Sequence, residues 1–244
     1  MDIRFDGKRV LVTGAGKGIG RGTAIMLMQC GAEVIALSRT QSDLDSLAEE
    51  HPSIKIIVMD LADIAAVKTE IPKLSPIHLL VNNAAIGEIQ PFLEVTEDSF
   101  DRVVNVNFKS CLFVAQAVAR DMVERGKGGA IVNVSSQASQ VALQDHTVYS
   151  GTKAALDSMT RTMALELGPK QIRVNAVNPT VVLTKMGKVG WSDPAKAGPM
   201  MSKIPQGKFA EVKDVVHAIL YLLSDKADMI NGSTLAIDGG FLAC

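Results

Sequence analysis

Short runs of β-branched and aliphatic residues alternate with longer helix-length stretches along the whole 244-residue chain. The runs Arg9 to Thr13, Glu33 to Ser38, Ile54 to Met59, Leu79 to Asn82, Ala130 to Val134, Arg173 to Val177 and Thr234 to Ile237 are near-continuous in Val, Ile, Leu and Ala, the pattern of strands buried on both faces. Seven such strands separated by helices predict repeated β-α-β units. The expected fold is therefore α/β and doubly wound, a seven-stranded, mostly parallel sheet with helices on both faces. No internal repeat, low-complexity tract or Pro/Ser-rich linker divides the chain, so residues 1–244 are expected to form one domain. The stretch from Thr184 to Pro205 breaks the pattern, with Gly187, Gly190, Pro194, Gly198 and Pro199 among scattered Met and Lys. It reads as neither strand nor core helix, and a substrate-covering loop is expected there.

Composition narrows the partners. Lys and Arg number 25 against 26 Asp and Glu, a formal net charge of -1, and no basic cluster is present, so a nucleic-acid partner is not expected. No apolar run approaches the roughly 18 residues of a bilayer span, and no signal-peptide pattern opens the chain. Cys30, Cys111 and Cys244 are odd in number and far apart, with no C-x-x-C pair for a metal; no metal site is expected, and a reducing, cytoplasmic setting fits. Aromatic residues are only 4% of the chain, with one Trp and two Tyr, so the core must be aliphatic.

Against this background three clusters carry chemistry. Thr13-Gly14-Ala15-Gly16-Lys17-Gly18-Ile19-Gly20 lies between the first strand and a helix reaching Cys30. Glycines at a strand-to-helix turn let the backbone approach a pyrophosphate, whose charge then rests on the free N–H groups of the helix start, as in a Rossmann-type dinucleotide site. The second strand ends in Ser38-Arg39-Thr40, without the acidic residue that would hold a ribose 2'-hydroxyl. Arg39, with Lys17 from the Gly loop, would instead meet a 2'-phosphate, which favours NADPH over NADH. Tyr149 and Lys153 are spaced i, i+4 and share a helix face, so an ammonium would favour the phenolate and suit the phenol to proton transfer. Ser135-Ser136 closes the fifth strand at the sheet edge where ligands of open α/β sheets bind.

With Asp60-Leu61, Asn82-Asn83-Ala84-Ala85, Asn107 and Asn178-Pro179-Thr180 added, the chain resembles the short-chain dehydrogenase/reductase family over essentially its full length. Further stretches, among them Gln90 to Thr96 and Trp191-Ser192-Asp193-Pro194, are similar to a branch of that family that reduces small sugars and α-dicarbonyls with NADPH as a homotetramer. The resemblance implies Tyr149 as general acid, Lys153 as its pKa-lowering partner and holder of the nicotinamide ribose, Ser136 as donor to the carbonyl oxygen, and Asn107 as holder of a proton-relay water. It implies cofactor (NADPH/NADP+) contacts at Gly14, Lys17, Gly18, Ile19, Gly20, Arg39, Thr40, Asp60, Leu61, Asn83, Ala85, Tyr149, Lys153, Pro179, Val182 and Thr184. Asp60 would accept the adenine amino hydrogen and Leu61 would pack on the ring.

Substrate contacts are expected at Ser136, Gln137, Leu143, His146, Tyr149 and Trp191, a mixture of hydrogen-bonding groups and apolar cover that suits a small polyhydroxy ketone. The resemblance implies, as the expected reaction, reduction of L-xylulose to xylitol and of α-dicarbonyls such as diacetyl. The alternatives are reduction of a 3-oxoacyl thioester or lipophilic ketone, or a non-catalytic NADPH-binding sensor. Ala115, Val118, Ala154 and Met163 are expected to face outward from the helices holding Asn107 and Tyr149, in the family's subunit contacts.

Overall fold

A computed structural model describes residues 2–184 and 191–243. Its sheet has seven strands, β1 (Arg9–Thr13), β2 (Glu33–Ser38), β3 (Lys55–Val58), β4 (Leu79–Asn82), β5 (Gly129–Val134), β6 (Ile172–Pro179) and β7 (Thr234–Ile237), in the order β3-β2-β1-β4-β5-β6-β7. Every neighbouring pair among these strands is parallel. The helices are α1 (Gly18–Gln29), α2 (Gln41–Glu50), α3 (Ile64–Glu70), α4 (Glu97–Val104), α5 (Ser110–Arg125), α6 (Thr147–Leu167), α7 (Pro194–Met201) and α8 (Val212–Leu223).

The near-continuous apolar runs have a direct cause. Val10, Val12, Val34, Ala36, Val81 and Val132 join one core with Ala24 and Leu27 of α1, Leu44 of α2 and Val215 and Ile219 of α8. The intervening Leu11, Ile35, Leu37, Leu80 and Ile131 join the opposite core with Val67 of α3 and Val114, Val118 and Met122 of α5. Successive side chains point to opposite faces and both faces are covered, so no polar position is needed within a strand.

Three expectations change. The segment from Thr184 to Pro205 contains helix α7: Asp193 accepts the Ala195 N–H at 2.9 Å as N-cap, and Pro194 takes the first position, where a missing N–H does no harm. Gly187 and Gly190 lie outside the described residues, as does Cys244. Strand β6 runs past Val177 to Pro179, while β3 is shorter than Ile54 to Met59. Ala115 and Val118 are buried against the sheet, at 1% and 2% exposure; outward apolar positions are instead Leu112, Val123 and, on α6, Leu165. Of the other two, Ala154 is exposed and Met163 half-buried. No helix among the described residues is long and apolar enough to cross a membrane.

Candidate active site

The strand order reverses between β1 and β4, and the loops leaving these strands flank the resulting crevice. They are stapled together. Thr13 Oγ1 accepts from the N–H groups of Asn83 and Ala84 at 3.0 and 3.1 Å, and Asn83 Nδ2 donates to the carbonyls of Thr13 and Gly14 at 3.0 and 3.2 Å. A Cβ on Gly14 would lie 2.8 Å from Ala84 Cα, and one on Gly20 only 2.3 Å from the Gly14 oxygen, so neither position tolerates a side chain. Gly18 has φ +58°, and a Cβ there would touch Thr184 at 3.1 Å. Helix α1 starts at Gly18 with Lys17 as N-cap; no side-chain oxygen caps it and no acidic residue occupies its first turn. Its free N–H groups and the side-chain-free approach fit the diphosphate of a dinucleotide.

At the adenosine end the expected residues divide. Arg39 is exposed and makes no hydrogen bond or ion pair among the described residues. Lys17 is not free: its ammonium lies 3.1 Å from the Asp43 carboxylate in the first turn of α2. Thr40 is the N-cap of α2 but makes no side-chain cap bond. Asp60 is exposed and accepts the Ala62 N–H at 2.9 Å through one oxygen, leaving the other open. Leu61 is 5% exposed and packs into the core with Leu11, Ile35 and Leu37, which leaves little of its side chain to cover a ring. Ala85 is exposed, Ile19 and Val182 are half-buried, and Pro179 is buried at the end of β6.

The residues expected at the reacting carbonyl come from three elements. Ser136 follows β5; its hydroxyl oxygen accepts the Ala138 N–H at 3.1 Å, capping the short turn Gln137–Ser139. That bond uses a lone pair, so the hydroxyl proton is still available to a ligand. Lys153, on α6, is 2% exposed and donates to the Val134 carbonyl at 2.8 Å, with its ammonium 5.6 Å from the centroid of the Tyr149 ring. An ammonium has three donors, so two remain beyond the Val134 bond. Asn107 is fully buried in a π-helical turn, Asn105–Lys109, that precedes α5. Its side chain accepts from Ile86 N–H at 2.8 Å and donates to Ile86 oxygen at 2.9 Å and Thr152 Oγ1 at 3.3 Å. Both amide hydrogens and one of the two lone pairs of its oxygen are engaged, so a water held by Asn107 would rest on the remaining lone pair or on its main chain.

On the substrate side, Gln137 is 2% exposed and its side-chain oxygen is buried without a partner. Leu143 and His146 lie in the bend before α6; His146 Nδ1 is hydrogen-bonded to the Gln144 carbonyl, and its ring meets Tyr149 edge-on at 6.1 Å. Trp191 is half-buried, with its ring 5.4 Å from Phe209, in a small apolar cluster with Ile204 and Phe241.

The family model described as Enoyl-(Acyl carrier protein) reductase matches residues 14–242. The L-xylulose reductase of Mesocricetus auratus is 59% identical over 242 residues, 99% of each chain. The D-erythrulose reductase of Gallus gallus is 57% identical over 241 residues, 99% of this chain and 98% of that one. A solved gluconate 5-dehydrogenase from Burkholderia cenocepacia J2315, in complex with NADP and tartrate, superposes with a TM-score of 0.94 at 31% identity, covering 100% of this chain and 98% of the other. The chain belongs to the short-chain dehydrogenase/reductase family.

In this short-chain dehydrogenase/reductase several residues that sequence reasoning passed over support the site. Asp43, paired with Lys17, lies 26 positions away, and nothing local marks it as a partner. A buried ladder, Asn82 to Asn133 at 3.0 Å and Asn133 to Thr160 at 2.9 Å, ties β4, β5 and α6. Asn133, next to last in a β5 otherwise made of Gly and aliphatic residues, carries the polar signal that would have drawn attention to it, while Asn82 was named with its motif but not for this bond. Phe209, beneath Trp191, carries no such signal.

Proposed function

We propose that the chain reduces small polyhydroxy ketones, L-xylulose foremost, and α-dicarbonyls such as diacetyl, with NADPH. The enzyme is an oxidoreductase acting on CH–OH groups with NADP(H), in keeping with its relatives. The observation that carries the assignment is the buried Lys153 ammonium 5.6 Å from the Tyr149 ring on α6, together with a Ser136 hydroxyl proton left available after β5. Bound NADPH supplies the hydride. Ser136 and Tyr149 hold the substrate carbonyl oxygen, and Tyr149 delivers the proton that completes the alcohol. Lys153, held by the Val134 carbonyl, stabilises the phenolate left behind and has two donors for ribose hydroxyls. The main chain of Asn107 holds the water that resupplies the proton. Gln137 and His146 bond substrate hydroxyls, while Leu143 and Trp191 cover the carbon face, residues 191–205 of the expected 184–205 loop contributing to the cover. Pro179, Val182 and Thr184 lie beyond the nicotinamide, Asn83 and Ala85 along the bridge, and Arg39, Thr40, Lys17 and Asp60 at the adenosine half.

A homotetramer is also proposed. A groove of about 440 Å³ between α4 and α6, lined by Phe92, Phe100, Val104, Phe108 and Val148, and one of about 370 Å³ between α5 and α6 are apolar and open. Size-exclusion chromatography with light scattering tests the assembly, and a monomer at micromolar concentration refutes it. The cytoplasm is the proposed compartment, consistent with unpaired Cys30 and Cys111, and cell fractionation tests it.

The functional assay follows NADPH oxidation with L-xylulose, diacetyl and a 3-oxoacyl thioester side by side. Fastest turnover on the thioester would replace the sugar reading, and tight NADPH binding without turnover on any carbonyl would indicate a sensor.

A further inference from the structure

Asp157 stands one turn beyond Lys153 on α6 and is 5% exposed. One carboxylate oxygen, Oδ2, accepts from Ser139 Oγ at 2.6 Å and from Asn178 Nδ2 at 2.8 Å. The same two groups reach the Ser136 carbonyl: Ser139 Oγ lies 2.8 Å and Asn178 Nδ2 3.2 Å from it, and they lie 2.9 Å from each other. Ser139 has one hydroxyl hydrogen and Asn178 two amide hydrogens, so three hydrogens serve these acceptors in a closed cluster. The other carboxylate oxygen, Oδ1, is buried without a partner.

The cluster joins two of the elements that carry the proposed reacting residues to the end of β6. Ser136 and Ser139 bound the turn after β5, Asp157 shares α6 with Tyr149 and Lys153, and Asn178 ends β6 beside Pro179. Oδ2 is the acceptor on which both donors converge, and accepting from an O–H and an N–H at 2.6 and 2.8 Å it ties the turn after β5 and the end of β6 to α6. The Ser136 hydroxyl is oriented by Ala138 N–H within the turn that this cluster clamps.

We infer that Asp157 is a positioning residue for the reduction, fixing through Ser139 and Asn178 the distance between the Ser136 hydroxyl and the Tyr149–Lys153 face of α6. The inference rests on the assignment of Ser136 and Tyr149 as the groups at the carbonyl. Misplacement of a catalytic group by about 1 Å lowers rates by roughly 10²-fold, which sets the scale.

The test compares Asp157→Ala, Ser139→Ala and Asp157→Asn in kcat with L-xylulose, in NADPH affinity by cofactor fluorescence, in melting temperature, and in amide hydrogen exchange of a peptide spanning residues 135–141. Asp157→Ala is expected to lose about 10- to 100-fold in kcat and Ser139→Ala about fivefold or more, with NADPH affinity within about twofold and faster exchange in the turn. Asp157→Asn keeps an acceptor in the Oδ2 position and is expected to stay within about fivefold of the wild type, with the turn still protected. Folded Ala variants with kcat within about twofold of wild type, or with unchanged exchange, would overturn the inference, as would an Asn variant as impaired as the Ala variant. A Ser136→Ala enzyme with undiminished kcat would refute the Ser136 assignment, while the exchange comparison still decides the joint.

Discussion

Replacing Asn107 by Ala separates what this side chain does for stability from the proton-relay role proposed for its main chain. The side chain supplies three hydrogen bonds, at 2.8 and 2.9 Å to the main chain of Ile86 and at 3.3 Å to Thr152. Truncation strands the Ile86 N–H and carbonyl in a half-buried loop and removes a bond from α6. A main-chain group left unsatisfied costs about 1–3 kcal/mol, and partial exposure of Ile86 favours the lower half of that range. Two such groups, with a small addition for the longer Thr152 contact, give about 3 kcal/mol. For a chain of this length 1 kcal/mol moves the melting temperature by about 2–4 °C, so a fall of roughly 6–12 °C is expected. Circular dichroism melts, with urea titrations to check that the slope is unchanged, provide the measurement. A shift of less than about 2 °C would show that water replaces these bonds at no cost and would refute the view of Asn107 as the pin between the loop after β4 and α6.

Tyr149→Phe removes the proposed proton donor without changing the ring; kcat should fall by about 10²-fold or more while NADPH still binds, and a loss confined to KM would count against general-acid catalysis. Arg39→Asp should weaken NADPH about 10- to 100-fold with little effect on NADH, measured as the ratio of the two kcat/KM values; an equal loss for both cofactors would sink the 2'-phosphate reading. The two hydrogen bonds from Arg102, at 2.9 and 2.8 Å, hold the Glu88 carboxyl down to about 2. A depressed carboxyl stabilises the fold fully above its ordinary value near 4.5 and loses that contribution as pH falls from there toward about 2. The difference in urea midpoint between wild type and Arg102→Met should therefore be largest near neutral pH, shrink through that window and diminish with salt; a pH-independent difference would exclude the ion pair as its source.

The sheet was legible because its strands are covered on both sides, which leaves a signal of unbroken Val, Ile and Leu that needs no knowledge of the partners. Helix faces were not, since Ala115 and Val118 are small enough to suit either a subunit contact or a packed core, and only the position of α3 decides between them. Helix α7 was hidden because Pro194, Gly198 and Pro199 suggest a break, although Asp193 followed by Pro194 is also a helix start. In the site, Tyr149 and Lys153 could be paired because their spacing is set by the helix itself. The joint of Ser139, Asp157 and Asn178 could not, since its members lie 18 to 39 positions apart and meet only once β5, α6 and β6 are packed.

The structure also alters how the two proposed adenosine-end cations, Lys17 and Arg39, would share the work of cofactor selection. A 2'-phosphate at the end of β2 would compete with Asp43 for Lys17, whereas Arg39 has no competing partner among the described residues. The Lys17 side chain is 66% exposed, and ion pairs of that kind contribute about 0–1 kcal/mol, so the competition is weak but works against the ligand. Arg39 offers a planar fork that two phosphate oxygens can meet at once, while Lys17 offers a point charge already partly neutralised. Discrimination between NADPH and NADH should therefore fall mainly to Arg39. Asp43→Asn, by releasing Lys17, should then raise NADPH affinity by no more than about fivefold and leave NADH unchanged.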